Sequence, residues 1–145
     1  AEMEKGAGHL VAKENDPDSI LIYERLKKIS KYTSSDQIMF ALQERANLTR
    51  QWKKFLFDFP LLLCPVSCSL PFDDLQDLKS EKDFEQIIED QIVQIGLPFM
   101  GLPGLTVTTD RKEDRPVGVQ LVASHFREDI LLDAAKIIAP KFDAF

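Results

Sequence analysis

Gly96-Leu97-Pro98-Phe99-Met100-Gly101-Leu102-Pro103-Gly104-Leu105-Thr106-Val107 leads to Pro116-Val117-Gly118-Val119-Gln120-Leu121-Val122 and then to Phe126-Arg127-Glu128-Asp129-Ile130-Leu131-Leu132-Asp133-Ala134-Ala135, and these three stretches decide the reading of the fold. Gly101, Pro103 and Gly104 punctuate a tight backbone path, after which β-branched residues favour extended structure from Leu105 to Thr109. Asp110 to Arg115 is a polar connection and Val117 to Val122 reads as a second strand, so the pair predicts an antiparallel hairpin. Glu128 and Asp129 suit the positive first turn of a closing helix. Ile130, Leu131, Ala134, Ala135 and Ile138 supply its apolar stripe, and Pro140 stops it.

Upstream, Leu61-Leu62-Leu63-Cys64 is apolar at every position, the pattern of a strand covered on both faces in the middle of a sheet. Pro65 and Pro71 bracket Val66 to Leu70, which predicts a loop leaving the end of that sheet. Ser80-Glu81-Lys82-Asp83 resembles a capping box, and Phe84, Ile87, Ile88, Ile92 and Ile95 mark the buried face of a helix ending by Gly96. Before the first strand, Thr33-Ser34-Ser35-Asp36 offers capping oxygens to a long amphipathic helix reaching about Phe57, and Pro60 follows it. Asp18 or Ser19 caps a shorter helix through about Lys31. Residues 1–16 lack period, carry the turn Asn15-Asp16-Pro17, and read as a mobile N-terminal segment. The expected order is α-α-β-α-β-β-α.

At 145 residues and 44% hydrophobic content the chain has the length and apolar material of one ordinary domain. A net charge of −6 and a pI near 4.9 exclude the clustered basic face of a nucleic-acid binder. Arg50, Lys53 and Lys54 around Trp52 form one basic cluster and read as a solvated helix face. No run approaches the roughly 20 apolar residues of a membrane helix and no apolar signal core follows a cationic start, so a cytoplasmic protein without a membrane partner is expected. Cys64 and Cys68 on an extended segment would stand about 13 Å apart, too far for a disulfide.

A serine hydrolase needs a nucleophile, a base and oxyanion donors converging on one point. The sequence has neither a G-x-S-x-G elbow nor an S-x-x-K pair, and Ser67, Ser69 and Ser124 read as loop or capping hydroxyls. His125 stands just before the last helix and suits its start better than a general-base role. Asp73, Asp74 and Asp77 lack calcium-loop spacing, Gly101-Leu102-Pro103-Gly104 lacks the residues of a phosphate cradle, and no metal or cofactor is expected.

Taken in order, the GLPG turn, the PVGVQLV strand and the FREDILLDAA helix resemble the C-terminal end of an amidase-signature hydrolase. Ala41-Leu42-Gln43-Glu44-Arg45-Ala46-Asn47-Leu48, Gln51-Trp52-Lys53-Lys54-Phe55-Leu56 and Phe59-Pro60-Leu61-Leu62-Leu63-Cys64-Pro65-Val66 extend the resemblance over roughly residues 37 to 142. It implies an α/β fold, the C-terminal part of the family's mixed-sheet α/β/α architecture, with residues 17–145 as one part of an amidase domain. The family hydrolyses amides with a Ser, a second Ser in a cis peptide and a Lys, drawn from a Lys segment and a Gly/Ser-rich signature that this sequence lacks. The resemblance therefore implies no catalytic residue here.

By the same analogy the substrate-pocket candidates are Pro65, Val66 and Ser67 after the first strand and Phe99, Met100 and Leu102 before the second; plain core packing is the other reading of all six. Met100 stands where many members carry Asn, and Asp110 replaces a frequent Gly, so the chain better fits the subgroup with F-x-G-L-P-G. The implied partners are the N-terminal catalytic part of the same amidase and, in the complete enzyme, a small-molecule amide. The alternative is a stand-alone interaction module whose apolar surface is masked by self-association or by a partner protein.

Overall fold

A computed structural model describes residues 6–29 and 34–139. They form α1 (Gly8–Glu14), α2 (Pro17–Ile29), α3 (Ser35–Asp58), β1 (Leu61–Pro65), α4 (Gln76–Lys79), α5 (Glu81–Asp90), α6 (Ile92–Met100), β2 (Gly104–Lys112), β3 (Arg115–Ala123) and α7 (Glu128–Ile138). The chain divides into two compact units, residues 1–44 with 73–88 and residues 45–72 with 89–145.

In the first unit, Asp16 rather than Asp18 or Ser19 starts α2. Its carboxylate accepts the Ser19 N–H at 2.7 Å, with Pro17 in the first helical position where a missing N–H costs nothing. That hydrogen bond holds the Asp16 carboxyl below its ordinary pKa. The stretch expected to be a mobile N-terminal segment contains helix α1, closed by Asn15 in the left-handed conformation. The remainder of that expectation, residues 1–5, lies outside the described residues, as do Lys31, Thr33 and Pro140.

Ser34 and Gln37 cap α3 reciprocally, the hydroxyl accepting the Gln37 N–H at 3.2 Å and the amide oxygen accepting the Ser34 N–H at 3.1 Å. Ser80 begins α5 as its sequence suggested, accepting the Asp83 N–H at 3.0 Å. Arg25 donates to the carbonyls of Asp77 and Leu78 at the end of α4 and lies 5.9 Å from the centre of the buried Phe84 ring.

The second unit holds a three-stranded sheet in the order β1-β3-β2, antiparallel throughout. The predicted hairpin is present, and its strands run further than expected. Lys112 pairs with Arg115 across only two turn residues, Glu113 and Asp114, both at positive φ, the geometry of a type I′ turn. A bulge lies between Thr108 and Asp110. Opposite Thr108, a Cβ on Gly118 would stand 2.8 Å from the Val107 carbonyl oxygen, so this close approach of β2 and β3 requires glycine.

Alternation along β3 builds the layers. Val122 joins Leu56, Leu97, Met100 and Leu102 on one face, with Trp52, Leu62 and Cys64 packed against them. Leu121 and Ala123 join Val107 and Leu131 on the other, with Leu61, Leu105, Val119, Ala134, Ala135 and Ile138 around them. Thus α3 and α6 cover one face and α7 the other, the α/β/α layering implied by the resemblance. Burying Leu121 and Val122 completely contributes about 1.5–3 kcal/mol each.

The structure departs from the sequence pattern at two further places. The helix predicted to end by Gly96 is two helices, and α6 runs through Gly96 and Pro98 to Met100. It stops in a Schellman motif: Gly101 adopts φ +70°, its N–H meets the Pro98 carbonyl at 3.2 Å, and the Leu102 N–H meets the Leu97 carbonyl at 3.2 Å. Leu97 and Leu102, the two ends of that motif, are both buried in one apolar cluster, and this packing outweighs the local cost of Pro98. The second correction concerns β1. Its apolar run predicts a place in the middle of a sheet, yet among the described strands it is an edge, and Leu63 is 55% exposed. The central position belongs to β3, which supplies the most deeply buried side chains of the sheet.

Candidate functional site

Pro65 closes β1 and is exposed, while Val66 and Ser67 are half-buried in the loop beyond it. This loop is fixed by the end of α5. Asp90 is the last residue of that helix, and its carbonyl oxygen accepts the Ser67 hydroxyl at 3.1 Å and the Cys68 N–H at 2.8 Å. The Ser69 hydroxyl donates to the Asp90 carboxylate at 2.7 Å. Ser67 in turn accepts the Ser69 N–H at 3.4 Å. Its hydroxyl proton is directed at a carbonyl oxygen, which cannot remove it, so Ser67 is arranged as a cap and not as an activated nucleophile.

The second group of candidates lies around the end of α6. Met100 and Leu102 are buried in the apolar cluster of Leu56, Leu97 and Val122, whereas Phe99 is 43% exposed. Leu62 and Cys64 of β1 pack against the same cluster; Pro65, Val66 and Ser67 are not among its members. The structure therefore brings Met100 and Leu102 together with Leu62 and Cys64 of β1.

Cys64 sits beside Gln120 on the neighbouring strand. The thiol faces the Gln120 carbonyl at 3.6 Å, and the Gln120 side-chain amide lies 3.9 Å from the sulfur. Burial pushes the thiol pKa up and the amide contact only partly offsets it, so Cys64 is a protonated packing residue and not a poised thiolate. Cys64 and Cys68 are both free thiols. Gln120 is buried, and its signal in the sequence is a polar residue set between Val119 and Leu121 in an otherwise apolar run.

His125 also does more than its position before α7 suggested. Its Nε2 stands 3.1 Å from the Met100 carbonyl oxygen, and its buried Nδ1 has no hydrogen-bond partner among the described residues. Beyond it, Phe126 adopts φ +61° and is exposed. Arg127 grips the Asp129 carboxylate with two contacts of 2.9 and 3.0 Å. Among the described residues no group of three or more His, Cys, Asp or Glu side chains could hold a metal ion, and no helix is long and apolar enough to cross a membrane.

These elements have counterparts in known proteins. The chain is 34% identical over 101 residues to an indoleacetamide hydrolase of Bradyrhizobium diazoefficiens, covering 69% of this chain and 19% of that protein. It is 33% identical over 101 residues to an indoleacetamide hydrolase of Bradyrhizobium japonicum, covering 69% of this chain and 22% of that one. It thus spans about a fifth of the length of these curated relatives. Among solved structures, 6-aminohexanoate cyclic dimer hydrolase, determined with its substrate, superposes with a TM-score of 0.53 and 19% identity over 81% of this chain and 26% of its own; that likeness shows the fold. The amidase family model matches residues 16–132, a span that holds β1 with its capped loop, the GLPG turn, the hairpin and the first turn of α7, and the chain belongs to the amidase family.

Proposed function

We propose that the chain is the C-terminal portion of an amidase-signature amidohydrolase, which in complete form converts a carboxamide and water into a carboxylic acid plus ammonia or an amine. In this reading its residues complete the sheet and shape the substrate pocket, while acylation is carried out by residues outside the chain. The observation that carries the reading is β1. Leu61-Leu62-Leu63-Cys64 is apolar throughout, yet it forms a sheet edge with Leu63 exposed, a placement that suits a strand awaiting further polypeptide from the N-terminal catalytic part. The orientation of Ser67 toward a carbonyl supports a role in shaping rather than in chemistry.

The test compares the chain alone with the chain joined to whatever coding sequence lies upstream, following ammonia release from indole-3-acetamide and from simple aryl and alkyl amides. Hydrolysis by the longer protein and none by the chain alone is expected. Within the longer protein, Ser67→Ala and Met100→Ala should alter the ranking of substrates with acylation intact. A chain that begins its own reading frame, melts cooperatively and binds no hydrophobic dye would overturn the proposal and favour a stand-alone interaction module.

A further inference from the structure

We infer that His125 is a positioning residue for the pocket, holding the turn between α6 and β2 by a single hydrogen bond to the Met100 main chain. This rests on the amidase reading above and deepens it by naming what fixes one wall of that site. A carbonyl oxygen can only accept, so Nε2, 3.1 Å from the Met100 carbonyl, carries the proton. Nδ1 is buried without a partner among the described residues, so the polar hold of the ring runs through Nε2.

Three features meet at the ring. Gly101 lies beside it: a Cβ there would meet Nε2 at 3.6 Å, an ordinary packing distance, and it is φ +70° that favours glycine. Met100 is the last residue of α6, where helix carbonyls lose their partners along the chain; the Schellman bonds serve Leu97 and Pro98, and His125 serves Met100. Finally, the main chain of Ala123, two residues before the imidazole, donates to the Pro103 carbonyl at 3.3 Å. The end of β3 thereby grips the turn twice, at Met100 and at Pro103, on either side of Leu102. Phe99, Met100 and Leu102, the three pocket candidates of this segment, are all within one residue of a gripped position.

A half-buried imidazole that merely filled space would be replaceable by a ring of similar size. One that positions the turn would be replaceable by a side chain that donates from the same reach. The experiment therefore sets His125→Phe against His125→Gln in the longest active form of the enzyme. His125→Phe should raise KM about tenfold for amides with bulky acyl groups, the size of one lost hydrogen bond, with kcat little changed. His125→Gln should restore KM to within about threefold of the wild type.

Amide hydrogen exchange supplies a second readout that does not depend on turnover. His125→Phe should speed exchange at Gly101 and Leu102 and leave α7 protected. Equal losses in both variants, uniform across substrates and accompanied by faster exchange throughout the sheet, would overturn the inference in favour of plain packing. So would unchanged kinetics and exchange in His125→Phe. If the wild-type enzyme cleaves no amide, the amidase reading fails by itself, and local exchange at Gly101 and Leu102 still decides whether His125 holds the turn.

Discussion

Strands β1 and β3 are similar in composition and opposite in circumstance. β1 is built on three Leu and β3 on three Val and a Leu, they pair residue for residue from Leu61 with Ala123 to Pro65 with Val119, and each presents one face to each apolar cluster. Yet Leu121 and Val122 are wholly buried, while Leu63, paired with Leu121, is 55% exposed. The difference lies in the neighbours: among the described residues β3 has a strand on either side and helices over both faces, whereas β1 has β3 on one side only. Apolar content states what surroundings a strand requires, and the fold determines whether this polypeptide supplies them.

The sharpest way to break that comparison is at its most buried point. Leu121→Ala should destabilise the chain by about 3 kcal/mol, measured by denaturant unfolding, because the cavity lies between layers that cannot collapse freely. A loss below about 1 kcal/mol would mean that β3 is no better packed than β1. Gly118→Ala comes next, at about 2 kcal/mol, since its Cβ must displace the Val107 carbonyl and spread the hairpin. Retained stability there would show that β2 and β3 are free to separate.

Leu63→Lys sharpens the comparison from the other side. In this chain it should change stability by no more than about 0.5 kcal/mol, as an exposed position does. In a complete enzyme that covers β1, the same substitution should cost about 2 kcal/mol or more, because it buries an unpaired charge. Equal small effects in both proteins would leave β1 a true edge. The smallest effect belongs to Asp129, whose carboxyl is held below its usual pKa first by the hydrogen bond from Arg127. A lowered carboxyl pKa contributes stability above the ordinary Asp range and loses it as pH falls through the lowered value. Asp129→Asn should therefore melt slightly below the wild type at neutral pH and coincide with it in strong acid. A gap that persists in acid would assign the effect to the shape of the side chain and not to its charge.

The sequence made the hairpin, the closing helix and the Ser80 cap legible because each depends on residues close together in the chain. Gly101 in the left-handed conformation is similarly local. The misreadings share the opposite property. Gly96 and Pro98 weaken a helix locally, and α6 persists because Leu97 and Met100 reach a cluster built from residues far away in sequence. The burial of Gln120 and the bond from His125 to Met100 likewise join positions set by folding and not by spacing. For the pocket candidates, position along the chain identifies a loop and a turn and leaves pocket lining and core packing as alternatives; the burial of Met100 and Leu102 depends on Leu56 and Val122, which are distant in sequence.

The two-residue turn between Lys112 and Arg115 also has a consequence for the order of assembly. A hairpin with so short a connection closes in about 1–10 μs, and α7 follows β3 directly, so both can form before any distant segment is captured. Cys64 must cross 56 residues of chain to reach Gln120. On a ribosome β1 emerges first and waits for the last strand it pairs with, an apolar edge exposed throughout that interval. Pulsed hydrogen exchange during refolding should protect the amides shared by β2 and β3 before those of β1; the reverse order would place the nucleus at the other end of the sheet.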